Sequence, residues 1–160
     1  MLLTLDAGSF EKSDQKEIFE RTLEVVASLA VKLDSMGYAV GFAANGTLKG
    51  GYSSEIPLSR GPQQIPAILE TLARMQTVPS GTMAQAIKQL LGSQRGVHCV
   101  HFCDEDDPSV SDMEKFFQKR QIPATFLVCR RDPNLQPSRR NEGIYRYFID
   151  EIRIDMSHQT

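Results

Sequence analysis

The fold is decided by the first ten residues, MLLTLDAGSF (residues 1–10), in which an apolar run leads directly into an acidic loop. Residues 2–5 predict a buried strand, and Asp6 stands where that strand ends. Gly8 and Ser9 are typical loop residues. In an open α/β sheet, ligands bind just beyond the carboxyl ends of the strands. Asp6 is therefore either a ligand for a metal or substrate, or a residue that forms a turn with its own backbone.

Downstream of this stretch, strand-like and helix-like patterns alternate. Apolar residues recur at helical spacing up to Gly37, which is well placed to end a first helix. The dipeptide Asn45-Gly46 lies between two strand-like runs and predicts a hairpin joining residues 38–44 to residues 47–52. Further helices are predicted within 63–76 and 78–92 and from Ser111 onward, with strands within 96–104 and 122–131. The segment IYRYFIDEIRI (residues 144–154) is either a last strand or a helix, and we favour a strand through Ile149.

This alternation predicts the α/β class: a three-layer, Rossmann-like, mostly parallel sheet with one antiparallel edge hairpin. The 160 residues are expected to form a single domain, residues 1–160. Because the first strand begins at the initiating Met, we expect either a minimal N-terminus or a domain taken from a longer chain.

The composition restricts the classes of function. Eighteen basic and twenty acidic residues give a net charge of −2, which argues against a general nucleic-acid-binding protein. Three cysteines without framework spacing favour a reducing compartment over a disulfide scaffold. The sequence shows neither a signal peptide nor an apolar run of membrane-spanning length. We therefore expect a cytoplasmic domain.

Three oxygen-bearing side chains are predicted at one edge of the sheet. Asp6 ends the first strand, Thr82 opens the third helix and Asp104 ends the strand HCVHFC. Two carboxylates and a hydroxyl suit a hard cation such as Mg²⁺ or Mn²⁺. The alternative is that both aspartates form turns and that Thr82 only caps its helix.

Several segments together resemble a von Willebrand factor A domain. They are LTLDAGSF, FERTLEVVASLAVKLDSMGYAVGFAANG, VPSGTMAQAIKQLL and VHFCDEDDP. The resemblance extends from Leu2 to about Val128. More narrowly, the chain resembles the C-terminal domain of the bacterial proteins grouped as domain of unknown function fifty-eight. That resemblance implies a domain on the cytoplasmic face of a membrane protein, encoded beside MoxR-type AAA ATPases.

The resemblance also implies a metal-ion-dependent adhesion site, whose cation is completed by a carboxylate of the partner. Asp6, Thr82 and Asp104 match its two aspartates and its threonine. Gly8 and Phe10 stand where the family has two serines, and Ser9 is out of register. Because those hydroxyls are direct ligands, their loss predicts a degenerate site that binds Mg²⁺ or Mn²⁺ weakly or not at all.

Cys99, His101 and Cys103 alternate and so share one face of a strand. Residues two apart on a flat strand are separated by ~7 Å, which is far for two ligands of one zinc ion. We interpret them as core residues.

The sequence contains no P-loop and no nucleophile elbow. Four arginines, Arg130, Arg131, Arg139 and Arg140, flank the polar loop DPNLQPS. They either contact an acidic partner or membrane surface or belong to a solvated loop, and we interpret them as solvated.

The sequence thus predicts a non-catalytic protein-interaction module with a degenerate metal site at the carboxyl edge of the sheet. The expected partner is a protein, either an AAA ATPase or a cell-envelope assembly, and not a nucleic acid or a membrane. Phe10 is expected to be an exposed apolar contact. One alternative is a metal-dependent nuclease or phosphatase that uses Asp6 and Asp104. Another is a purely structural domain whose sheet edge binds nothing. The residues assigned to partner binding are Gly8, Ser9, Phe10, Ser80 and Glu105.

Overall fold

The computed structural model describes residues 1–11, 16–50, 54–105, 108–130 and 144–149. Within these ranges, a short 3-10 turn covers Ala7–Phe10. The helices are α1 (Lys16–Ser35), α2 (Gln64–Ala73), α3 (Met83–Leu91) and α4 (Pro108–Lys119). The strands are β1 (Leu2–Leu5), β2 (Val40–Ala44), β3 (Gly46–Leu48), β4 (Glu55–Ser59), β5 (Met75–Pro79), β6 (Cys99–Glu105), β7 (Ala124–Arg130) and β8 (Ile144–Phe148).

The main sheet has six strands in the order β4-β2-β1-β6-β7-β8. All neighbours are parallel except β4, which runs antiparallel to β2 at the edge. The strand β1 lies in the interior, and Leu2 is aligned with Gly41 on one side and with Cys99 on the other. Because the chain winds outward in both directions from β1 and β6, their carboxyl ends form the topological switch point of the sheet.

The two faces of the sheet carry separate cores. Leu3 and Leu5 pack with α1 and α2, whereas Leu2 packs with α3 and α4. This division follows from the strand geometry, since successive side chains point to opposite faces. A continuous apolar run such as β1 is therefore expected where helices cover both faces. The predicted α/β class, with a mostly parallel sheet between two helical layers, is confirmed.

The predicted Asn45-Gly46 hairpin is wrong. The strand β2 pairs with β1 and β4, while β3 pairs with β5 in a separate two-stranded sheet. Gly46 does not adopt the positive φ that a type I′ turn requires. A Cβ on Gly46 would collide with the carbonyl oxygen of Gln76 and lie 2.7 Å from the Cβ of Ala7. Glycine is needed at position 46 because β3 and β5 approach each other closely there, and not because the backbone turns.

Two helix boundaries also differ from the prediction. The helix expected within 63–76 ends at Ala73, because Met75 pairs with Leu48 in the β3–β5 ladder. The helix expected from Ser111 begins at Pro108. In the first case a tertiary strand pairing overrides a helical hydrophobic pattern.

None of the helices in the described ranges has the length and apolarity needed to cross a bilayer.

The interpretation of the Cys-His-Cys pattern as core is confirmed. Cys99, His101 and Cys103 are each 1% exposed or less. The Nδ1 atom of His101 lies 2.8 Å from the hydroxyl of Thr4, and its ring packs edge-on against Phe126. Burial raises the pKa of the Cys99 thiol to about 12, so this thiol is protonated and unreactive at neutral pH.

We predict that Gly46→Ala lowers the free energy of unfolding by about 1–3 kcal/mol, because the new Cβ overpacks the contact between β3 and β5. Chemical denaturation measures the change. Gly61→Ala is the matched control, since a Cβ at Gly61 meets nothing within 4 Å. Equal stability of the two variants would contradict the close-approach explanation.

We predict that stability falls as the pH drops below about 6.5. Burial lowers the pKa of His101 from 6.5 to about 4, so the unfolded chain takes up a proton in this window and the folded chain does not. The free energy of unfolding should be about 2 kcal/mol lower at pH 5 than at pH 7.5 through this group. Urea denaturation across this range measures the loss.

His101→Gln should flatten this pH dependence, whatever its effect on absolute stability. His98→Gln should keep most of it, because His98 is only half-buried and bonds to the hydroxyl of Thr125. An unchanged pH slope in His101→Gln would show that other groups cause the loss.

Candidate functional site

Asp6 ends β1 and organises the turn that follows. Its Oδ1 atom accepts hydrogen bonds from the backbone N–H of Ser9 (3.2 Å) and from Nδ2 of Asn45 (2.7 Å). Asp6 thereby acts as the N-cap of the 3-10 turn Ala7–Phe10. Its own N–H donates to the carbonyl of Phe102 at 2.9 Å, which continues the pairing between β1 and β6.

Ser9 joins the ends of β1 and β6. Its Oγ donates to the backbone carbonyl of Asp6 at 2.6 Å and accepts from the backbone N–H of Asp104 at 3.0 Å. Ser9 lies out of register with the family motif, yet its hydroxyl is placed between the two candidate aspartates. The structure therefore brings Asp6 and Asp104 to one edge of the sheet, as the sequence predicted.

Asn45 is a site residue that sequence reasoning missed, because Asn45-Gly46 was interpreted as a hairpin turn. Its side chain bridges β2 to the Asp6 turn: Nδ2 donates to Asp6, and Oδ1 accepts from the N–H of Gly8 at 3.1 Å. Its carbonyl also accepts from the N–H of Ser80. Asn45 is 8% exposed. A buried amide with several partners fixes the relative positions of the segments that it contacts.

Asp104 is held by Arg130, the second residue that sequence reasoning did not place in the site. Nε of Arg130 donates to Oδ1 of Asp104 at 2.8 Å, and an Nη atom donates to Oδ2 at 2.7 Å. The Asp104 side chain is 2% exposed and that of Arg130 is 26% exposed. The pair is bidentate, which is the strongest geometry for an arginine and a carboxylate. Arg130 ends β7 and is not a solvated loop residue. Arg131, Arg139 and Arg140 lie outside the described residues.

Thr82 caps α3. Its hydroxyl accepts from the backbone N–H of Gln85 at 3.3 Å, in the extended conformation usual for an N-cap. The predicted capping role of Thr82 is thus confirmed. Thr82 is exposed and lines an open cleft of about 470 Å³ between α3 and the strand β3.

In the structure, oxygens of Asp6, Thr82 and Asp104 accept hydrogen bonds from protein groups. Both oxygens of Asp104 are engaged by a guanidinium, whose fixed positive charge repels a second cation nearby. One oxygen of Asp6 and the hydroxyl of Thr82 accept backbone hydrogen bonds. In the part of the chain that the structure describes, no cluster of three or more His, Cys, Asp or Glu side chains is placed to hold a metal ion.

The residues predicted to bind a partner differ in how far they are exposed to solvent. Gly8 and Ser9 are partly buried, and Ser80 is exposed at the end of β5. The expectation that Phe10 is exposed is wrong: Phe10 is 2% exposed, and its ring packs against that of Phe19 of α1 in a tilted arrangement, with 5.2 Å between the ring centres. The 3-10 turn directs Phe10 into the core. The side chain of Glu105 lies outside the described residues.

The cleft extends the carboxyl edge beyond the strand ends. Its lining is mostly small, hydroxyl-bearing and amide side chains, including Ser54, Ser80, Thr82 and Gln85. Such groups both donate and accept hydrogen bonds. A scan of known protein families finds no match for this chain, and a search of curated proteins finds no similar sequence.

We predict that Arg130→Gln lowers the free energy of unfolding by about 3 kcal/mol, because it leaves the buried Asp104 carboxylate without its charge partner. Chemical denaturation at pH 7 measures the loss. Adding Asp104→Asn to this variant should recover much of it, since no buried charge then remains.

Arg21→Gln is the control, because it breaks an exposed pair with Glu24 and should cost less than about 1 kcal/mol. Equal losses from Arg21→Gln and Arg130→Gln would contradict a special role for the buried pair. Purely additive effects in the double variant would contradict the coupling of Asp104 with Arg130.

Proposed function

We propose that this chain is a von Willebrand factor A-like domain that binds a protein partner through the carboxyl edge of its sheet. The proposed role is non-catalytic. Support comes from the strand order β4-β2-β1-β6-β7-β8, the antiparallel edge strand β4 and the polar switch point. In doubly wound sheets with this order, the crevice beyond the strand ends is the usual place for ligands.

The bidentate Asp104–Arg130 pair is the observation that carries the metal-independent, non-catalytic part of this proposal. The resemblance assigns the aspartate after this strand to a cation. In this chain a guanidinium occupies both oxygens of Asp104. Arginine stays charged at all physiological pH values. We therefore propose that the edge is held in shape by Arg130 and works without Mg²⁺ or Mn²⁺.

The side chains at this edge favour binding over catalysis. The Ser9 hydroxyl is used between two backbone groups, and Asp6 is used as a cap. Of the histidines in the described ranges, His101 is buried in the core and His98 precedes β6 at the opposite edge. A metal-dependent nuclease or phosphatase would need Asp104 as a free ligand, which the ion pair disfavours.

The surface proposed for the partner includes Ser80 and the cleft beside it. Ser80 is exposed, and its N–H is held by Asn45, so the loop is fixed to the sheet edge. A loop that is already ordered loses little entropy when a partner binds. The resemblance makes a MoxR-type AAA ATPase the first partner to test.

We predict that Ser80→Arg abolishes capture of the partner, because a long charged side chain blocks the edge and the mouth of the cleft. Quantitative affinity capture with a purified MoxR-type ATPase and with cell extract, in EDTA and in millimolar Mg²⁺, measures binding. Wild-type capture should be equal in both buffers, and the thermal midpoint should not shift when Mg²⁺ or Mn²⁺ is added.

Ser93→Arg is the matched control, since Ser93 is exposed after α3 at the opposite edge and this variant should bind like the wild type. Equal loss of partner capture in Ser80→Arg and Ser93→Arg would contradict the proposed surface. Capture only in Mg²⁺, or an upward thermal shift that Asp6→Ala removes, would contradict metal independence. Divalent-dependent phosphoester hydrolysis lost in Asp104→Asn would support the hydrolase.

A further inference from the structure

The helical layer formed by α3 and α4 carries a basic surface that the proposed partner edge does not use. Between Glu70 and Asp104 the sequence contains no acidic residue, although the whole chain has a net charge of −2. Lys88 of α3 and Arg120, which directly follows α4, are both exposed. Neither forms an ion pair with any residue in the described ranges.

One aromatic ring holds these two cations together. The Nζ atom of Lys88 lies 5.9 Å from the centre of the Phe116 ring, and the Cζ atom of Arg120 lies 5.6 Å from the same centre. Both distances are within the range of cation–π contacts. Phe116 is itself partly buried against the core that contains Phe117, which fixes the ring. The two positive charges are thus positioned before any ligand arrives.

We propose that Lys88, Phe116 and Arg120 form a docking surface for an acidic segment of a protein partner. Carboxylates of such a segment pair with the two cations, and its apolar atoms contact the exposed part of the ring. On α4, the acidic residue one turn before Phe116 is Asp112. Its Oδ1 atom lies 3.9 Å from Nζ of Lys115, so this carboxylate already has a cationic partner. The surface is therefore complementary in charge to an acidic peptide.

The charge distribution favours a short acidic peptide over a nucleic acid. On the opposite face of the sheet, the helix α1 carries four acidic residues against three basic ones, and the net charge of the chain is negative. A long polyanion extending beyond the basic surface would meet this repulsion. A peptide of a few acidic residues contacts the basic surface alone.

This surface is separate from the carboxyl edge and does not depend on the proposed function there. The helix α4 has 12 residues and starts just after β6. At 1.5 Å per residue it is about 18 Å long, which sets the distance of Arg120 from that edge.

Fluorescence anisotropy with a labelled Glu-rich peptide of about twelve residues tests the proposal. We expect wild-type binding at low salt that weakens in about 0.2 M NaCl. In the double variant Lys88→Gln/Arg120→Gln, binding should be about tenfold weaker, from the loss of two exposed ion pairs. The double variant Lys16→Gln/Lys32→Gln removes the same charge from α1 and should change binding less than about twofold.

Three results would overturn the proposal: no binding of the acidic peptide at low salt, equal weakening in both double variants, or tighter binding of a single-stranded oligonucleotide that depends on the same residues. A Gln-rich peptide should not bind. Lys88 also lies in the last turn of α3, where a cation favours the helix. If the double variant does not fold, Lys88→Glu alone, checked by circular dichroism, gives the same comparison against Lys32→Glu.

Discussion

The ends of three parallel strands are held together by two polar side chains, Ser9 and Asn45. Ser9 joins the carbonyl of Asp6 to the N–H of Asp104, and Asn45 joins the Asp6 carboxylate to the N–H of Gly8. Backbone groups at strand ends lack ladder partners and need others when they are buried. These two side chains meet that requirement. The geometry of the whole carboxyl edge depends on them.

Arg130 changes the electrostatics of this edge. A buried aspartate is costly unless a positive charge accompanies it, and a guanidinium or a metal ion can each supply that charge. In this chain the arginine does so with a covalently attached cation that is present under all conditions. Such a buried ion pair fixes the relative positions of the two strand ends more than it increases the free energy of unfolding.

The fold separates two surfaces of different chemistry. The carboxyl edge is polar, with hydroxyl and amide groups lining an open cleft, and suits recognition of a peptide backbone. The outer surface of α3 and α4 is basic and carries one partly exposed aromatic ring. Because both are built on helices and strand ends that pack on the same six-stranded sheet, we infer that they hold fixed positions relative to each other.

The sequence by itself determined the α/β class, the buried strand β1, the helix α1 and the core location of Cys99 and His101. These depend on hydrophobic periodicity and local capping, which adjacent residues set. Only the tertiary structure decided that Asn45 bridges strands, that Phe10 is buried and that Arg130 neutralises Asp104. Each of these depends on a contact between residues far apart in the chain. Local patterns carry no information about which distant group will satisfy a polar atom or cover a ring, because that choice is made only when the sheet assembles.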